Sequence, residues 1–377
     1  MNRTQIIYDE FGPEYILEVY DPKLKFRGIL VIDNTILGPA KGGIRITPTV
    51  NIYELVRLAR AMTFKNALAE LPFGGAKAGL VLDLSKITWE KKKEIIQSFS
   101  RALKPFAPKK YIAGPDMGTG EREMQWFSEA NGSWQAATGK PANLCLKIFG
   151  KKEKKCGLPH EFGSTGYGVA WAAKTAADFI DLDLNKATVA IAGFGNVGIF
   201  ACKYLHQLGA KIIAVSDSQG AVFQKQGLNP SELEKLKKSG KSIIEYPLGK
   251  KLKREEIYEL ETDILIPAAS ADVINQNNVN KVKAKIIIEG ANIPIPEKYE
   301  EILGQKGILI VPDIIANSGG VISSYAEYRG YNPKKMFETV KKKIVKNTET
   351  ILREAKKQNL SLRQVALKIA VSRIKKG

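Results

Sequence analysis

The 377-residue sequence has little histidine and little cysteine. Because only His160 and His206 are present, Ser–His or Cys–His nucleophilic chemistry is poorly supplied, and catalysis would have to use lysine, aspartate or a cofactor. The three cysteines are odd in number and irregularly spaced, which argues against a disulfide framework and fits a reducing compartment. Cys156 and His160 are possible metal ligands, but two ligands make no site, so we predict no bound metal.

Long apolar runs are also missing. No stretch reaches the about 18 apolar residues that a membrane-spanning helix needs. The first residues, MNRTQIIYDEFGPEY, lack the basic and then apolar layout of a signal peptide. We therefore expect a soluble, cytoplasmic protein without a membrane partner. The length and the hydrophobic content of 44% predict two domains.

The formal net charge of +19 raises the alternative of a nucleic-acid binder. Much of this charge is lysine at helical spacing opposite apolar residues, as in residues 332–357. The apolar stripe there consists of Phe337, Val340, Ile344 and Ile351. The densest lysine cluster, KIFGKKEKK at 147–155, contains no recognisable nucleic-acid-reading motif. Nucleic-acid binding is therefore not the expected main function, and a basic binder that merely retains the fold is kept as an alternative.

A glycine-rich turn follows a predicted strand and opens a predicted helix in the second half of the chain. The turn reads GFGNVG, residues 193–198, directly after the apolar run Thr188–Ala192. In a dinucleotide-binding turn the first glycine permits the tight bend, the second lets the pyrophosphate approach, and the third lets helix and strand pack closely. We predict cofactor contacts at Gly193, Gly195, Asn196, Val197 and Gly198.

The following strands complete the predicted cofactor site. Asp217 ends the strand KIIAVSD, 19 residues after Gly198, where a carboxylate can accept the adenosine ribose hydroxyls. No arginine or lysine follows before Lys225, so we find no obvious cation for a 2′-phosphate and predict NAD, with NADP possible. The runs DILIPAA, KIIIEGAN and GILIVPD predict further parallel strands, whose carboxyl ends should line the cofactor. The lining residues expected there are Ala268, Ala269, Asn292 and Asn317.

Three lysines in residues 41–79 stand among small or helical apolar residues. Lys65 extends the apolar stripe of a predicted helix, so it should meet a negative partner, unless it reaches solvent or pairs with Glu70. Lys77 in PFGGAKAG and Lys41 in KGGIR are flanked by small residues that would let a ligand approach. The three lysines predict a cationic pocket for a small dicarboxylate, in which at least one lysine has a depressed pKa.

At least seven motifs occur in order along nearly the whole chain. They are residues 41–79, AGPDMGTGEREM, TGKP, STGYGV, AGFGNVG, EGAN and ANSGGVISSYAE. In this order they resemble the glutamate/leucine/phenylalanine/valine dehydrogenase family, and most closely its glutamate-using members. The resemblance implies a two-domain fold with the active site in the cleft. It also implies reversible NAD(P)-dependent deamination of an L-amino acid to its 2-oxo acid and ammonium.

The family's pattern implies catalytic roles for matching residues. Lys77 matches the lysine that polarises the carbonyl or activates water, and Asp116 matches the carboxylate that moves protons to and from the amine. Lys65 matches the lysine that holds the substrate's α-carboxylate. A catalytically inactive member that only binds its ligands is the other alternative, and the intact Lys77 and Asp116 speak against it.

The resemblance also implies residues beside the nicotinamide ring. Thr138 and Thr165 match the family's nicotinamide-side threonines. We place Thr138 with the substrate-binding residues and Thr165 with the cofactor-binding residues. Asn317, in ANSGG, matches the family's nicotinamide-facing asparagine.

Lys41 and Ser324 carry the predicted substrate choice. In glutamate-using relatives a lysine opening K-G-G and a serine in G-G-V-x-x-S bind the side-chain carboxylate, whereas leucine-type relatives have an apolar residue at the lysine position. This chain has both polar residues. Because a buried ammonium without a carboxylate would penalise an apolar substrate, we predict L-glutamate and 2-oxoglutarate. A branched-chain (leucine/valine-type) amino-acid dehydrogenase is the alternative.

Some segments depart from the family's pattern. Gly114 stands where alanine is commoner, and GPA before Lys41 is more like the leucine-type members. A basic connection at 141–163 is longer than usual; it either modifies cleft closure or subunit contact, or is an exposed loop without a role.

The resemblance finally implies the architecture. We predict an α/β fold in which residues 1–166, with 319–377, form the substrate-binding and oligomerisation domain. Residues 167–318 would form a Rossmann-type dinucleotide-binding domain, after which the C-terminal helices return to the first domain. A homohexamer is the implied assembly.

Overall fold

The computed structural model describes residues 6, 8–145 and 155–377. Their contacts divide the chain into two compact units. Unit 1 comprises residues 1–162, 321–336 and 369–377, and unit 2 comprises residues 163–320 and 337–368.

Unit 1 is built on a five-stranded mixed sheet. Its strands are β1 (Tyr15–Asp21), β2 (Phe26–Asn34), β3 (Ala40–Thr47), β4 (Gly74–Val81) and β5 (Tyr111–Pro115), in the order β1-β2-β4-β3-β5. β1 and β2 pair antiparallel, as do β2 and β4, whereas β3 runs parallel to both β4 and β5. The helices between the strands are α1 (Ile52–Leu68), α2 (Trp89–Ala102) and α3 (Glu121–Asn131).

Alternate residues of β2 form two separate apolar layers of unit 1. Ile29 and Val31 are fully buried in a cluster with Leu55 of α1. Leu30, which points to the opposite face, joins a larger cluster that includes Phe99 of α2. Burying a side chain of this size contributes about 1.5–3 kcal/mol, so helices on both faces hold the central strands in place. This packing makes β3, β4 and β5 a rigid base for the side chains that they carry.

Unit 2 is built on a seven-stranded sheet in the order β12-β11-β10-β6-β7-β8-β9. The strands are β6 (Thr188–Ala192), β7 (Lys211–Ser216), β8 (Ala221–Phe223), β9 (Lys250–Leu252), β10 (Ile264–Pro267), β11 (Ile286–Ile288) and β12 (Leu309–Val311). The five strands from β12 to β7 are parallel, and β8 and β9 add an antiparallel edge. The chain order reverses at β6, which lies between β10 and β7, and such a point is where doubly wound sheets bind ligands. The predicted α/β class and parallel sheet are confirmed.

Helices follow the strands of unit 2 and continue to the end of the chain. Those in and around the sheet are α4 (Ser164–Phe179), α5 (Asn196–Gln207), α6 (Pro230–Lys238), α7 (Glu297–Gln305) and α8 (Asp313–Ala316). The last three are α9 (Gly319–Tyr328), α10 (Pro333–Gln358) and α11 (Leu362–Ile374).

The C-terminal residues are divided differently from the predicted boundaries, which placed all of 319–377 in the first domain. Residues 337–368 pack with unit 2, whereas 321–336 and 369–377 belong to unit 1. The apolar stripe of α10 gives the reason. Val340 and Ile344 are fully buried, and the centre of the Phe337 ring lies 4.9 Å from the centre of the Tyr167 ring of α4. The lysines of α10 are solvated on its other face, as the helical spacing predicts.

Cys145 and Cys156 form a disulfide bond, so the expectation that the cysteines would not pair was wrong. The chain returns on itself here: the two cysteines form an isolated antiparallel bridge, and Gly157 N donates to Leu144 O at 3.1 Å. An odd cysteine count does not exclude one such pair beside a free cysteine. Cys202 is free and buried in α5. Residues 146–154, the middle of the predicted basic connection at 141–163, lie outside the described residues.

The described part of the chain contains neither a membrane-spanning helix nor a cluster of metal ligands. Its helices are each too short or too polar to cross a membrane. Within residues 6, 8–145 and 155–377, no group of three or more histidine, cysteine, aspartate or glutamate side chains is placed to hold a metal ion.

Candidate active site

The two predicted catalytic side chains, Lys77 and Asp116, form an ion pair in unit 1. Lys77 lies on β4, Asp116 directly follows β5, and the distance from Nζ to Oδ2 is 2.9 Å. Asp116 also accepts a hydrogen bond of 3.0 Å from Arg45 Nε. Burial raises the pKa of the Asp116 carboxyl group, but the positive charges of Lys77 and Arg45 outweigh it and lower the pKa to about 2. Asp116 is therefore a carboxylate at neutral pH and can accept a proton.

The turn after β5 holds Asp116 in place. The Thr119 hydroxyl donates to Ile44 O of β3 at 2.7 Å and accepts from Asp116 N at 2.8 Å. Because β3 is parallel to both β4 and β5, this single hydroxyl ties the turn to the strand between the two catalytic residues. The geometry of the ion pair thus follows from the strand order.

Lys41 is buried next to this pair. Its side chain begins on β3 and its Nζ donates a hydrogen bond of 3.0 Å to Ala113 O of β5. Burial, with repulsion from Lys77 and Lys140, lowers the Lys41 pKa to about 7, although Glu327 opposes the change. The predicted pocket lysine with a depressed pKa is therefore Lys41. An ammonium so poised gains strongly from a bound carboxylate.

Gly114 makes the position of Lys41 possible. A Cβ atom at residue 114 would lie 2.3 Å from Lys41 Nζ, far inside van der Waals contact. The ammonium therefore fills the volume that an alanine side chain would need. The glycine at 114, which departs from the family's pattern, thus leaves the space that the buried Lys41 ammonium occupies.

The remaining predicted substrate-side residues also belong to unit 1. Thr138 is 1% exposed, and its hydroxyl has no hydrogen-bond partner among the described residues. A buried hydroxyl without a partner indicates a place where a ligand can complete the hydrogen bonding. Ser324 is half-buried on α9, and Lys65 is 9% exposed in the last turn of α1, as the helical stripe predicts.

The glycines beside Lys77 have a different role from the one predicted. They were expected to let a ligand approach, but a Cβ at Gly75 would lie 2.2 Å from Thr63 Oγ1, and one at Gly74 would lie 1.9 Å from Asn34 O. These positions are therefore filled by α1 and β2. The glycines are explained by close packing of the sheet against its neighbours, which places α1 and Lys65 near β4.

In unit 2 the glycine-rich turn between β6 and α5 has the shape that a dinucleotide needs. Gly193 has a φ of +108°, which favours glycine, and a Cβ there would lie 2.6 Å from Ala269 N. At Gly198 a Cβ would lie 1.9 Å from Gly193 O, so helix and turn can touch only without a side chain. At Gly195, by contrast, a Cβ would meet nothing within 4 Å. The turn is thus packed on its inner side and open where a pyrophosphate would approach the start of α5.

Asp217 is engaged by its own unit. Its carboxylate accepts hydrogen bonds from Ser242 Oγ at 2.9 and 3.0 Å, from Ile243 N at 3.0 Å and from Gln219 N at 3.0 Å. Burial raises its pKa, but these bonds and Lys237 lower it overall. Lys237 Nζ lies 3.3 Å from Oδ2. This cation comes from α6 and lies beyond Lys225, so the sequence directly after Asp217 does not indicate it.

The residues predicted to face the nicotinamide lie at the carboxyl ends of β10, β11 and β12. Ala268 and Ala269 directly follow β10, and Asn317 Nδ2 donates to Ala291 O at 3.1 Å and to Asn292 Oδ1 at 3.0 Å. Thr165 is 7% exposed in the first turn of α4. Asn317 therefore fixes the turn after β11.

A buried arginine strengthens the same region of unit 2. Arg363 of α11 forms ion pairs with Glu289 at 2.6 Å, Glu300 at 2.6 Å and Asp313 at 3.0 Å. Asp313 in turn accepts a hydrogen bond of 3.0 Å from Ile293 N, next to Asn292. The end of the chain thus stabilises the turn that carries predicted cofactor contacts.

Three charged residues of the unit 1 site were missed by sequence reasoning: Arg45, Lys140 and Glu327. Arg45 stands in KGGIR, Lys140 in TGKP and Glu327 in SSYAE, so each lies in a quoted motif without an assigned role. The available signal was Glu327, an acid three residues after Ser324 on an otherwise uncharged helix, where i and i+3 share a face.

A lysine–carboxylate pair in one unit and a dinucleotide-type turn in the other define a nucleotide-dependent dehydrogenase. Two family models agree: Glu/Leu/Phe/Val dehydrogenase, dimerisation domain, matches residues 13–131, and Glutamate/Leucine/Phenylalanine/Valine dehydrogenase matches residues 157–377. The chain belongs to the glutamate/leucine/phenylalanine/valine dehydrogenase family, which confirms the resemblance read from its motifs.

Similar proteins of known name cover most of the chain. Glutamate dehydrogenase of Aeropyrum pernix is 38% identical over 90% of this chain and 83% of its own length. NADP-specific glutamate dehydrogenase of Saccharolobus shibatae is 37% identical over 96% and 88%. Among solved structures, hetero-hexameric glutamate dehydrogenase of Thermus thermophilus in its Leu-bound form has a TM-score of 0.84 at 27% identity, over 96% of this chain and 88% of that one.

Proposed function

We propose that the protein catalyses reversible oxidative deamination of L-glutamate to 2-oxoglutarate and ammonium with NAD(P). The observation that carries the proposal is the Lys77–Asp116 ion pair beside the buried Lys41 ammonium, all within unit 1. The glutamate dehydrogenases among the similar proteins support the same substrate.

The reaction converts L-glutamate, NAD(P)⁺ and water into 2-oxoglutarate, ammonium, NAD(P)H and a proton. The dinucleotide, when bound, accepts the hydride from the substrate's Cα. Asp116, a carboxylate at neutral pH, takes a proton from the substrate's ammonium group. The lone pair of the resulting amine can then form a C=N double bond as the hydride leaves Cα. Water then adds to the resulting iminium carbon and loses a proton to solvent, which gives a carbinolamine. Asp116 returns its proton to the amine of the carbinolamine, the C–N bond breaks, and the departing ammonia takes the hydroxyl proton and leaves as ammonium. Lys77 orients that water and donates a hydrogen bond to the oxygen that becomes the 2-oxo group.

The other lysines hold the two carboxylates of the substrate. Lys65 binds the α-carboxylate, and Lys41 with Ser324 binds the side-chain carboxylate. Thr138 offers its buried hydroxyl to the substrate. Because Lys41 is buried, its ammonium gains most from an anion and discriminates against apolar side chains.

The cofactor site of unit 2 accepts NAD and also NADP in this proposal. The glycine turn provides the pyrophosphate site at Gly195, Asn196 and Val197, while Ala268, Ala269, Asn292, Asn317 and Thr165 line the nicotinamide side. Asp217 would favour the free ribose hydroxyls of NAD. Lys237 and the hydrogen bonds on Asp217 partly neutralise that carboxylate, which reduces its repulsion of a 2′-phosphate.

The assembly, the division of the chain and its location complete the proposal. We propose a homohexamer, a substrate domain of 1–166 with parts of 319–377, and a dinucleotide domain of 167–318. The matching dimerisation-domain model supports self-association. The proposed location is the cytoplasm, and fractionation of the source cells, with the protein in the membrane-free fraction, checks it.

The test is NADH oxidation by the purified protein with ammonium and 2-oxoglutarate. It is run beside 2-oxo-4-methylpentanoate and repeated with NADPH. Turnover confined to 2-oxoglutarate supports the proposal, and the ratio of NADH to NADPH activity decides the cofactor. A preference for the branched substrate would establish the branched-chain alternative. No turnover, with retained binding of DNA that falls steeply with salt, would favour a basic binder.

Lys41→Leu tests the specificity lysine. We expect kcat/KM for 2-oxoglutarate to fall about 10²-fold, because loss of one partner of a buried charge pair costs about 2–5 kcal/mol. Activity with 2-oxo-4-methylpentanoate should rise or stay constant, which controls for folding. Unchanged kinetics with 2-oxoglutarate would refute the assignment of Lys41.

A further inference from the structure

We propose that Glu327 is a positioning residue of the substrate pocket, whose buried negative charge keeps Lys41 in its ammonium form until a dicarboxylate binds. The inference rests on the proposed role of Lys41 in binding the side-chain carboxylate. It assigns a function to an acid that sequence reasoning left without one.

The Glu327 carboxylate is completely buried and firmly held. The residue is 0% exposed, and its Oε1 lies 2.5 Å from Lys140 Nζ. Its Oε2 accepts hydrogen bonds from Gly139 N at 2.7 Å and Leu158 N at 2.9 Å. Residues 139–140 and 158 therefore meet on the carboxylate of a residue that is far from both in the sequence. A charge fixed in this way acts through a low local dielectric and does not reorient when substrate enters.

The charges around Lys41 explain why an anion is needed. Lys77 of β4 and Lys140, in the segment after α3, both repel the Lys41 ammonium, and Lys77 is itself paired with Asp116. The hydrogen bond that Lys41 Nζ makes is to a neutral acceptor, Ala113 O.

A short hydrogen-bonded path joins Lys41 to Glu327. Lys41 Nζ and Thr138 N both donate to Ala113 O at 3.0 Å, and the next residue, Gly139, donates through its N to Glu327 Oε2 at 2.7 Å. The charge of Glu327 favours the Lys41 ammonium against burial and these two lysines.

Lys140 does not make Glu327 a purely structural ion pair. Lys140 Nζ also donates to the carbonyl oxygen of Ala137 and lies 3.9 Å from the centre of the Trp134 ring. The Lys140 charge is thus shared among the Glu327 carboxylate, a carbonyl oxygen and an aromatic ring, and part of the negative potential of Glu327 remains for Lys41. Ser324 stands one helical turn before Glu327 on α9, so the same helix places the predicted side-chain ligand and this anion.

Removal of the charge should change the pH dependence of substrate binding. Lys41 has a pKa of about 7, and loss of the opposing Glu327 charge lowers it further. A neutral Lys41 amine cannot pair with a carboxylate, so binding weakens as pH rises through the Lys41 pKa. In a variant without the charge, this weakening begins at lower pH than in the wild type.

The experiment measures kcat and KM for 2-oxoglutarate from pH 6 to pH 9 in Glu327→Gln, whose amide keeps the size of the side chain. Above the wild-type Lys41 pKa we expect KM to exceed the wild-type value, by about tenfold for each unit by which the Lys41 pKa falls. The ratio of the variant KM to the wild-type KM should approach one towards pH 6, and kcat should change less than about threefold. A KM ratio that does not vary with pH would overturn the proposal, because a merely structural defect predicts that result.

2-Oxopentanoate provides the matched control substrate. It has the same number of carbons but no side-chain carboxylate, so its KM should be the same in wild type and Glu327→Gln at every pH. An equal rise for both substrates would also overturn the proposal.

Lys140→Met is the second variant, and it keeps the proposal testable should Glu327→Gln fail to fold. Removing the competing cation leaves more of the Glu327 charge for Lys41, so KM for 2-oxoglutarate above pH 7 should fall below the wild-type value. A rise in KM there would contradict the inference. If Lys41→Leu leaves 2-oxoglutarate kinetics unchanged, the proposed function of Lys41 itself fails. If only the Glu327 and Lys140 variants disagree, that function stands and the inference alone falls.

Discussion

The two units prepare their sites by different physical means. In unit 2 the site is a matter of backbone shape, since Gly193 and Gly198 are packed and Gly195 is open. In unit 1 the site is a matter of buried charge, where Lys77 pairs with Asp116 and Lys41 is held without a direct carboxylate partner among the described residues. Backbone shape depends on neighbours in the sequence, whereas charge pairing depends on distant segments. The first can therefore be recognised in a short motif, and the second cannot.

The sharpest test of this difference is Asp116→Asn. We expect kcat to fall about 10³-fold, because the variant loses a general acid–base group but keeps nearly the same shape. NADH binding, followed by its fluorescence, should stay within about twofold of wild type, since Asp116 belongs to unit 1. A variant with nearly normal kcat would show that Asp116 takes no part in proton transfer.

The glycine turn of unit 2 can be tested with two matched variants. Gly198→Ala should lower the free energy of unfolding by about 1–3 kcal/mol, because its Cβ would overlap Gly193 O. Gly195→Ala should leave the unfolding free energy nearly unchanged but raise KM for NADH, since its methyl group occupies the open side of the turn. Thermal unfolding and initial rates measure the two effects. Equal destabilisation by both variants would contradict the division into a packed and an open glycine.

The smallest expected effect concerns the disulfide of unit 1. Protein denatured without reductant should expose one titratable thiol per chain, that of Cys202, and three after reduction. Thiol titration of the two samples gives the count. Three thiols before reduction would mean that Cys145 and Cys156 are unpaired in the isolated protein.

Sequence reasoning reached the fold and the names of most candidate residues, but not their pairing. Gly193, Gly195 and Gly198 were assigned the three roles that their surroundings now explain, because strand, turn and helix are contiguous. Lys140 and Glu327 are 187 residues apart in the sequence, yet their side chains lie 2.5 Å apart. Nothing local to either residue indicates the other.

Two further differences have the same cause. Lys237 approaches Asp217 from α6, beyond the part of the sequence where a cation was sought. The glycines beside Lys77 looked open from the sequence, since α1 and β2, which fill the space, contact them only after folding. Small residues mark close approach, but the sequence does not say whether a ligand or the chain itself approaches.

Gly114 limits the substrate pocket by the side chain that it lacks. A Cβ atom at residue 114 would overlap the Lys41 ammonium, so an alanine there would move the flexible end of the lysine side chain away from Ala113 O. Glycine at this position therefore sets how deep in unit 1 the lysine charge can lie, and with it the depth at which a bound anion would meet that charge.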